Sequence, residues 1–346
     1  MTYHIYAGPA SPYSHKVRAL FRYRQIPHTW LVPMGGFEGG AALGSDNEVE
    51  TPLSKANKGV VPVVEYPDGT YKSDSTPIML EMEALHAGRS IVPESPCIAF
   101  IAHLIEDMAD EYLPIPMFYF RWTDDAMWCG RRQMTGWNGA LDDETLDEYA
   151  TSFLTRQQGQ LGALKAMKKG SVLEMYHSFL DAMETLLSER FFFFGNRPSL
   201  AEFGIYGQLT QYSIDPTVSK ILRKRAVRTY QWTHFIDDLS GIEPGEWFAV
   251  EDCLTENLGQ LIASLAPMYL LMANQMLKDS AGADLSKAVN GPLYRAKCYL
   301  QLKHELAVLD PTDIALVRPF LESIGCWEPL QFRAGEEARV VALTPQ

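Results

Sequence analysis

The residues best placed to do chemistry are Ser11-Pro12-Tyr13-Ser14, between an apolar run, Tyr3 to Ala7, and the basic stretch His15-Lys16-Val17-Arg18-Ala19-Leu20. Tyr3, Ile5 and Ala7 alternate with more polar neighbours, Val17, Leu20 and Phe21 recur at helical spacing, and Gly8, Pro9 and Pro12 punctuate. The pattern predicts strand, tight turn, helix. Ser11 then opens a helix, where unpaired backbone N–H groups and the helix dipole favour an anion and a hydroxyl can donate to it. A thiolate is such an anion. A plain N-cap is the simpler role for the same serine.

The elements that must position this turn follow in order. His28 to Val32 reads as a second strand, giving the strand-helix-strand opening that a parallel crossover needs. Gly35-Gly36-Phe37-Glu38-Gly39-Gly40 lacks the Gly-Lys-Ser/Thr ending of a phosphate loop and is expected to be a mobile loop near the site. Gly59 to Tyr66, then Pro67-Asp68-Gly69 and Thr70-Tyr71-Lys72, predict a hairpin. Pro62 inside an apolar strand would remove a ladder hydrogen bond, and a cis Val61–Pro62 bond that turns the Val61 backbone towards a ligand would account for it. Ser73 to Ile78 starts a helix running to about Ala87, with Pro77 in its first turn.

Ser-Pro-Tyr-Ser resembles a thioredoxin or glutaredoxin Cys-Pro-Tyr-Cys site with both cysteines replaced, and serine cannot exchange disulfides. The Val61-Pro62 strand, the hairpin and the Asp74-Ser75 pair opening a helix complete a resemblance to serine-type glutathione transferases. That resemblance implies that Ser11 activates the sulfur of glutathione, that the Val61 backbone, beside Pro62, pairs with its cysteinyl part, and that Asp74 and Ser75 grip its γ-glutamyl end. Ser75 can donate to a carboxylate beside helix N–H groups, and Asp74 can accept from an ammonium. The residue before Val-Pro, usually polar in the family, is Val60, so Lys55, Lys58 or the Gly35 to Gly40 segment would have to meet the glycine carboxylate. Tyrosine-type members use a Tyr at the end of the first strand, and Tyr6 stands near that position.

Arg89 to Pro96 ends the first domain, and from Cys97 the chain reads as helical, with Ile98, Ile101, Ile105 and Met108 on one face. By the resemblance, Tyr112, Phe118, Tyr119 and Trp122 are candidates for the pocket of a small hydrophobic electrophile, with ordinary core as the other reading. Trp128 to Glu148 is expected to be loop-rich, Asp142-Asp143-Glu144 marking the first turn of a long polar helix, and Val172 to Phe194 a helix. Ser199 and Glu202 have capping-box spacing, and the family carries a Ser/Thr-x-x-Asp box there. A further helix through Trp232 runs to the break at Gly241 to Gly245. Beyond about Glu251 the resemblance fades into helical segments: Leu254 to Leu277 around Pro267, Tyr294 to Leu309, and Pro311 to Ile324.

The 346 residues suffice for two or three domains, and a net charge of −13 argues against nucleic acid or an anionic membrane as the main partner. Five cysteines without a Cys-x-x-Cys pair fit a reducing cytoplasm, no signal peptide is visible, and no histidine pair has metal-ligand spacing, so no metal is predicted. The resemblance implies an α/β thioredoxin-like N-terminal domain (1–93) and an all-α glutathione transferase C-terminal domain (97–245), followed by a helical C-terminal extension (246–346). The resemblance implies a homodimer, with glutathione as thiol substrate. A non-catalytic glutathione- or partner-binding module keeping the fold is the alternative.

Overall fold

The computed structural model describes residues 2–31, 51–56 and 60–345. The Gly35 to Gly40 segment and Lys58 lie outside these residues. The first strand, β1 (Tyr3–Tyr6), buries Tyr3 and Ile5 while Tyr6 faces the other way, the period-two alternation of a sheet with two covered faces. Helix α1 (Pro12–Tyr23) follows, then β2 (His28–Leu31), α2 (Pro52–Lys55), β3 (Val63–Glu65), β4 (Tyr71–Ser73) and α3 (Ser75–Leu85). The sheet order is β2-β1-β3-β4, with β1 parallel to β2 and the other pairs antiparallel. This is the thioredoxin-like arrangement. The hairpin turns where Gly69 adopts φ 85° and donates to the Tyr66 carbonyl. Strand β3 begins only at Val63, so Pro62 precedes the ladder and costs it no hydrogen bond. Val61–Pro62 is cis.

The rest is helical: α4 (Pro96–Glu111), α5 (Pro114–Trp122), α6 (Ala126–Asn138), α7 (Asp143–Gln160), α8 (Lys169–Leu186), α9 (Leu200–Tyr212), α10 (Pro216–Arg225), α11 (Val227–Ile236), α12 (Val250–Cys253), α13 (Glu256–Ala263), α14 (Ala266–Asp279), α15 (Gly291–Ala307) and α16 (Pro311–Ser323). The stretch expected to be loop-rich is thus mostly the helices α6 and α7, broken at Gly139 with φ 71°. Gly130 within α6 lies against Ala150, so what looks like a breaker is a packing position for α7. Asp142 caps α7, accepting from the Thr145 N–H at 2.9 Å. Helix α8 stops at Leu186, before the four phenylalanines, of which Phe192, Phe193 and Phe194 are buried.

Ser199 and Glu202 form the expected box. The Ser199 hydroxyl accepts from the Ala201 N–H at 3.2 Å and the Glu202 carboxylate from the Ser199 N–H at 2.8 Å. It opens α9, whose thirteen residues are all buried. Helix α9 crosses α1 at Gly207, where a β-carbon would stand 2.9 Å from Lys16 Cβ and 3.0 Å from the Pro12 carbonyl oxygen. The bare backbone of α9 therefore lets the start of α1 approach. Helix α4 is buried nearly all round because α14, α15 and α16 pack on it from the C-terminal side.

Candidate active site

The turn after β1 is held from both sides. Ser11 is the N-cap of α1, its hydroxyl accepting from the Ser14 N–H at 3.3 Å and making a long contact, 3.5 Å, to the Val61 carbonyl. Ser14 is fully buried and accepts from the Gly8 N–H at 3.3 Å, so it folds the turn. Gly8 is needed because a β-carbon there would meet Val61 Cγ2 at 3.0 Å. From the helical side Arg121 donates to the Ala10 carbonyl at 3.2 Å and Arg132 to that of Pro9 at 3.2 Å. The fully buried Asp215 orients both guanidinium groups, at 2.5 Å and 3.1 Å. Two cations thus grip the carbonyls just before Ser11, adding to the positive end of α1. Nothing in their spacing marked these arginines.

The second group lies around a cavity of about 260 Å³ bordered by Tyr13, Val61, Pro62, Asp74, Ser75 and Asp110, and by α15. Val61, Pro62, Asp74 and Ser75 are thereby brought together, while Ser11 reaches this wall only through Val61. Asp74, the residue before α3, is in the left-handed region at φ 86°, a strained placement for a non-glycine residue. Its carboxylate accepts from the Tyr294 hydroxyl at 2.7 and 2.9 Å. Ser75 donates to Asp110 Oδ2 at 3.4 Å and accepts from Lys16 at 3.4 Å.

Lys16 is the unexpected residue. Its ammonium is fully buried between Glu106, Asp110 (2.6 Å), Ser75 and Thr76 (3.0 Å). Burial by itself would favour the neutral amine, but the Asp110 and Glu106 carboxylates outweigh it and hold the charge above the usual lysine range. Burial pushes the carboxyls of Asp107, to about 8, and Asp110 upward.

The four aromatic candidates for an electrophile pocket sit elsewhere, and none borders the cavity. Tyr112 is buried near Tyr269, Trp122 lies between Phe118 and Phe153, and Tyr119 is edge-on to Phe120. An aromatic beside the Ser11 turn is Trp137, whose indole nitrogen would lie 3.4 Å from a Gly8 β-carbon. Tyr6 donates to Glu65 at 2.8 Å, and burial pushes its phenol up. Lys55 sits over the Tyr71 ring at 4.7 Å, and Val60 is exposed. A larger groove, about 630 Å³, lies between α13 and α16 and involves none of these residues. Among the described residues no His/Cys/Asp/Glu group could hold a metal ion, and the five cysteines are free and buried.

Residues 10–85, from the Ser11 turn to the end of α3, match the family described as Glutathione S-transferase, N-terminal domain. That stretch is similar to the N-terminal domain of glutathione S-transferases. Solved structures similar to the chain include the beta-etherase LigF from Sphingobium sp. strain SYK-6 (17% identity, 68% of this chain and 95% of that one, TM-score 0.49). A glutathione S-transferase from Methylobacterium radiotolerans in complex with glutathione sulfonate is 15% identical over 72% of this chain and 98% of that one, with a TM-score of 0.43. Gtt2 from Saccharomyces cerevisiae is 19% identical over 67% of this chain and 99% of its own, with a TM-score of 0.40. No curated protein sequence matches the chain. Among the described residues no helix is long and apolar enough to cross a membrane.

Proposed function

We propose that this glutathione S-transferase-like chain binds glutathione and activates its thiol through Ser11 for attack on a small apolar electrophile. The observation that carries the reading is convergence. The Val61–Pro62 turn and the Asp74-Ser75 helix start border one cavity, and the Ser11 hydroxyl meets the same turn at the Val61 carbonyl. In this reading 1–93 holds the thiol, 97–245 is the helical domain that grips the Ser11 turn, and 246–346 closes the γ-glutamyl side.

At 3.5 Å the Ser11–Val61 contact is weak, so the hydroxyl can turn to donate to a sulfur at little cost. The N-terminus of α1 adds its dipole and the Arg121 and Arg132 pair its charge. The thiol loses its proton to water, and the thiolate forms the new C–S bond as the electrophile's leaving group departs with its electron pair. Lowering a thiol pKa from about 8.5 by roughly two units takes about 2.7 kcal/mol. One charge-assisted hydrogen bond and a helix terminus supply that order of energy. Tyr112 and Trp122, which are buried, and the half-buried Phe118 and Tyr119 would shape an electrophile pocket from behind, with Trp137 beside the Ser11 turn.

Ser11→Ala should raise the pKa of bound glutathione by roughly one to two units, read by thiolate absorbance, and slow conjugation of an aryl halide while leaving affinity nearly unchanged. A pKa that moves with Tyr6→Phe and not with Ser11→Ala would overturn the assignment. Glutathione binding without turnover in any thiol-conjugation assay would favour the non-catalytic module, to which Tyr294 seated on Asp74 already lends weight.

The homodimer belongs to the same reading, but α14, α15 and α16 already cover α4 within one chain. The contact must therefore use the first domain and helices other than α4. Sedimentation at micromolar concentration should give twice the 38.9 kDa chain mass, and a single-chain mass would remove the dimer. Buried free cysteines accord with a reducing, cytoplasmic setting.

A further inference from the structure

Charge is laid out unevenly along the helical part of the chain. From Pro216 to Ile236 the sequence holds five cations, Lys220, Arg223, Lys224, Arg225 and Arg228, and no acid. From Gly241 to Leu277 it holds five acids, among them Glu251, Asp252 and Glu256, and no lysine or arginine. In a chain of net charge −13 the first block is a local reversal of sign. Cations in the last turn of α10 suit the negative end of that helix, but Arg228 stands in the first turn of α11, where the dipole opposes it. Helix-end chemistry therefore accounts for only part of the block.

The fold turns the two blocks into surfaces of opposite form. All five cations are exposed on the α10–α11 corner, which also carries Val227, 67% exposed. Arg225 and Arg228 are paired within the chain, with Asp181 and Glu184, whereas Lys220, Arg223 and Lys224 make no ion pair among the described residues. Two of the acids, Glu251 and Glu256, line the groove of about 630 Å³ between α13 and α16, whose apolar floor is the half-buried Leu254, Phe320 and Ile324. Gly259 brings the two helices together in it, since a β-carbon there would stand 3.3 Å from Ile324 and 3.4 Å from Phe320. Glu251 makes no ion pair among the described residues, and the Glu256 carboxylate accepts only from the Gln260 amide, at 3.3 Å. No lysine or arginine lines the groove.

Both surfaces border one corner of the molecule, residues 189–191. The Phe191 carbonyl accepts from the Trp232 indole of α11 at 3.0 Å, while Arg190 donates to the Asp252 carbonyl of α12 at 2.9 Å and Glu189 accepts from Asn257 of α13. Phe191 and Phe235 pair edge-on there, their ring centroids 5.7 Å apart, and are 40% and 54% exposed. An exposed aromatic pair between a basic shoulder and an acidic groove is self-complementary across a two-fold axis. We propose that this face binds a second copy of this chain, the α10–α11 shoulder of each copy seated in the α13–α16 groove of the other and the Phe191–Phe235 pairs meeting at the axis. Val227 and the methylene stems of Arg223 and Lys224 then lie on the apolar floor, and the charged heads reach Glu251 and Glu256. The charges set partner and register, and the apolar contact supplies the affinity. This contact uses no residue of the first domain and does not rest on the glutathione reading.

The test is sedimentation velocity of the full-length chain at micromolar concentration, beside two charge-reversed variants whose folding is checked by thermal melting, Glu251→Lys with Glu256→Lys and Arg223→Glu with Lys224→Glu. The native protein should sediment as at least two chains and each variant at half the native mass. An equal mixture of the two variants should return to the native mass, because in the mixed pair both contacts again join opposite charges. A native protein that sediments as a single chain overturns the contact and leaves the groove to another occupant. Variants that both keep the native mass also overturn it, placing any association elsewhere. A loss of mass in only one of them overturns the pairing of shoulder with groove, and so does a mixture that stays at half the native mass.

Discussion

Ser11 and Ser14 share one turn but do different work. Ser14 is sealed inside and satisfies the Gly8 N–H, whereas the Ser11 hydroxyl makes only long contacts that a ligand can replace. The rival hydroxyl, Tyr6, is committed to Glu65 and packs with the cluster around Leu53 and Val63 on the sheet face opposite Tyr3 and Ile5. For that reason Tyr6→Phe serves as the control for Ser11→Ala. The basic run after the turn divides the same way. Arg18 and Arg22 reach Asp237 at 2.7 Å each across the domain boundary, while Lys16, one position in the same run, is wholly internal.

Among the elements, the contact of α1 with α9 decides whether the turn is presented at all. Gly207 is a tight point in it, because a β-carbon there would press on Lys16 Cβ and on the Pro12 carbonyl, and backbone cannot step aside as a side-chain end can. Gly207→Ala should therefore destabilise the protein by about 1–3 kcal/mol, the usual cost of overpacking, seen as a lower denaturant midpoint at unchanged slope. An unchanged midpoint would mean that α1 can shift freely, and the fixed geometry assigned to the Ser11 turn would go with it. The box that starts α9 is a local device: Ser199 and Glu202, three residues apart, satisfy backbone donors at the helix start and so can be read from spacing.

At the scale of the whole molecule, one buried apolar cluster extends from Tyr3 in β1 to Leu330 beyond α16, so the C-terminal helices share their core with the rest. Polar links run through the same region. His103 of α4 meets Glu305 of α15 at 2.6 Å, and Tyr269 of α14 donates to Asp107. Burial opposes the charge on His103, but Glu305 outweighs it and pushes the imidazole up to about 10, while burial pushes Asp107 up to about 8. Both folded values are raised above the unfolded ones, so the stability they contribute is complete below the unfolded pKa values and is lost as pH rises through the folded ones. Asp237, held down to about 2 by Tyr206, Arg18 and Arg22 against its burial, acts only in acid. The denaturant midpoint should accordingly fall between pH 6 and pH 9. A midpoint that rises over that interval would show that these groups are not protonated in the folded chain.

The sequence by itself determined whatever short-range order encodes. A strand-turn-helix, a hairpin, an Asp-Ser helix start and a capping box each depend on residues within a few positions, and all four stand where spacing placed them. It also carried the similarity to the family model over residues 10–85. Contacts between distant residues leave no local periodicity, so only the tertiary structure could decide them: Arg121 and Arg132 on the carbonyls before Ser11, Lys16 between two carboxylates, and Tyr294 on Asp74, 220 positions apart. The aromatic run around Phe118 shows the same limit from the other side. Its composition suits a pocket or a core equally, and which it became depended on α6, α7 and α14 folding over it, because an aromatic side chain is apolar wherever it lands.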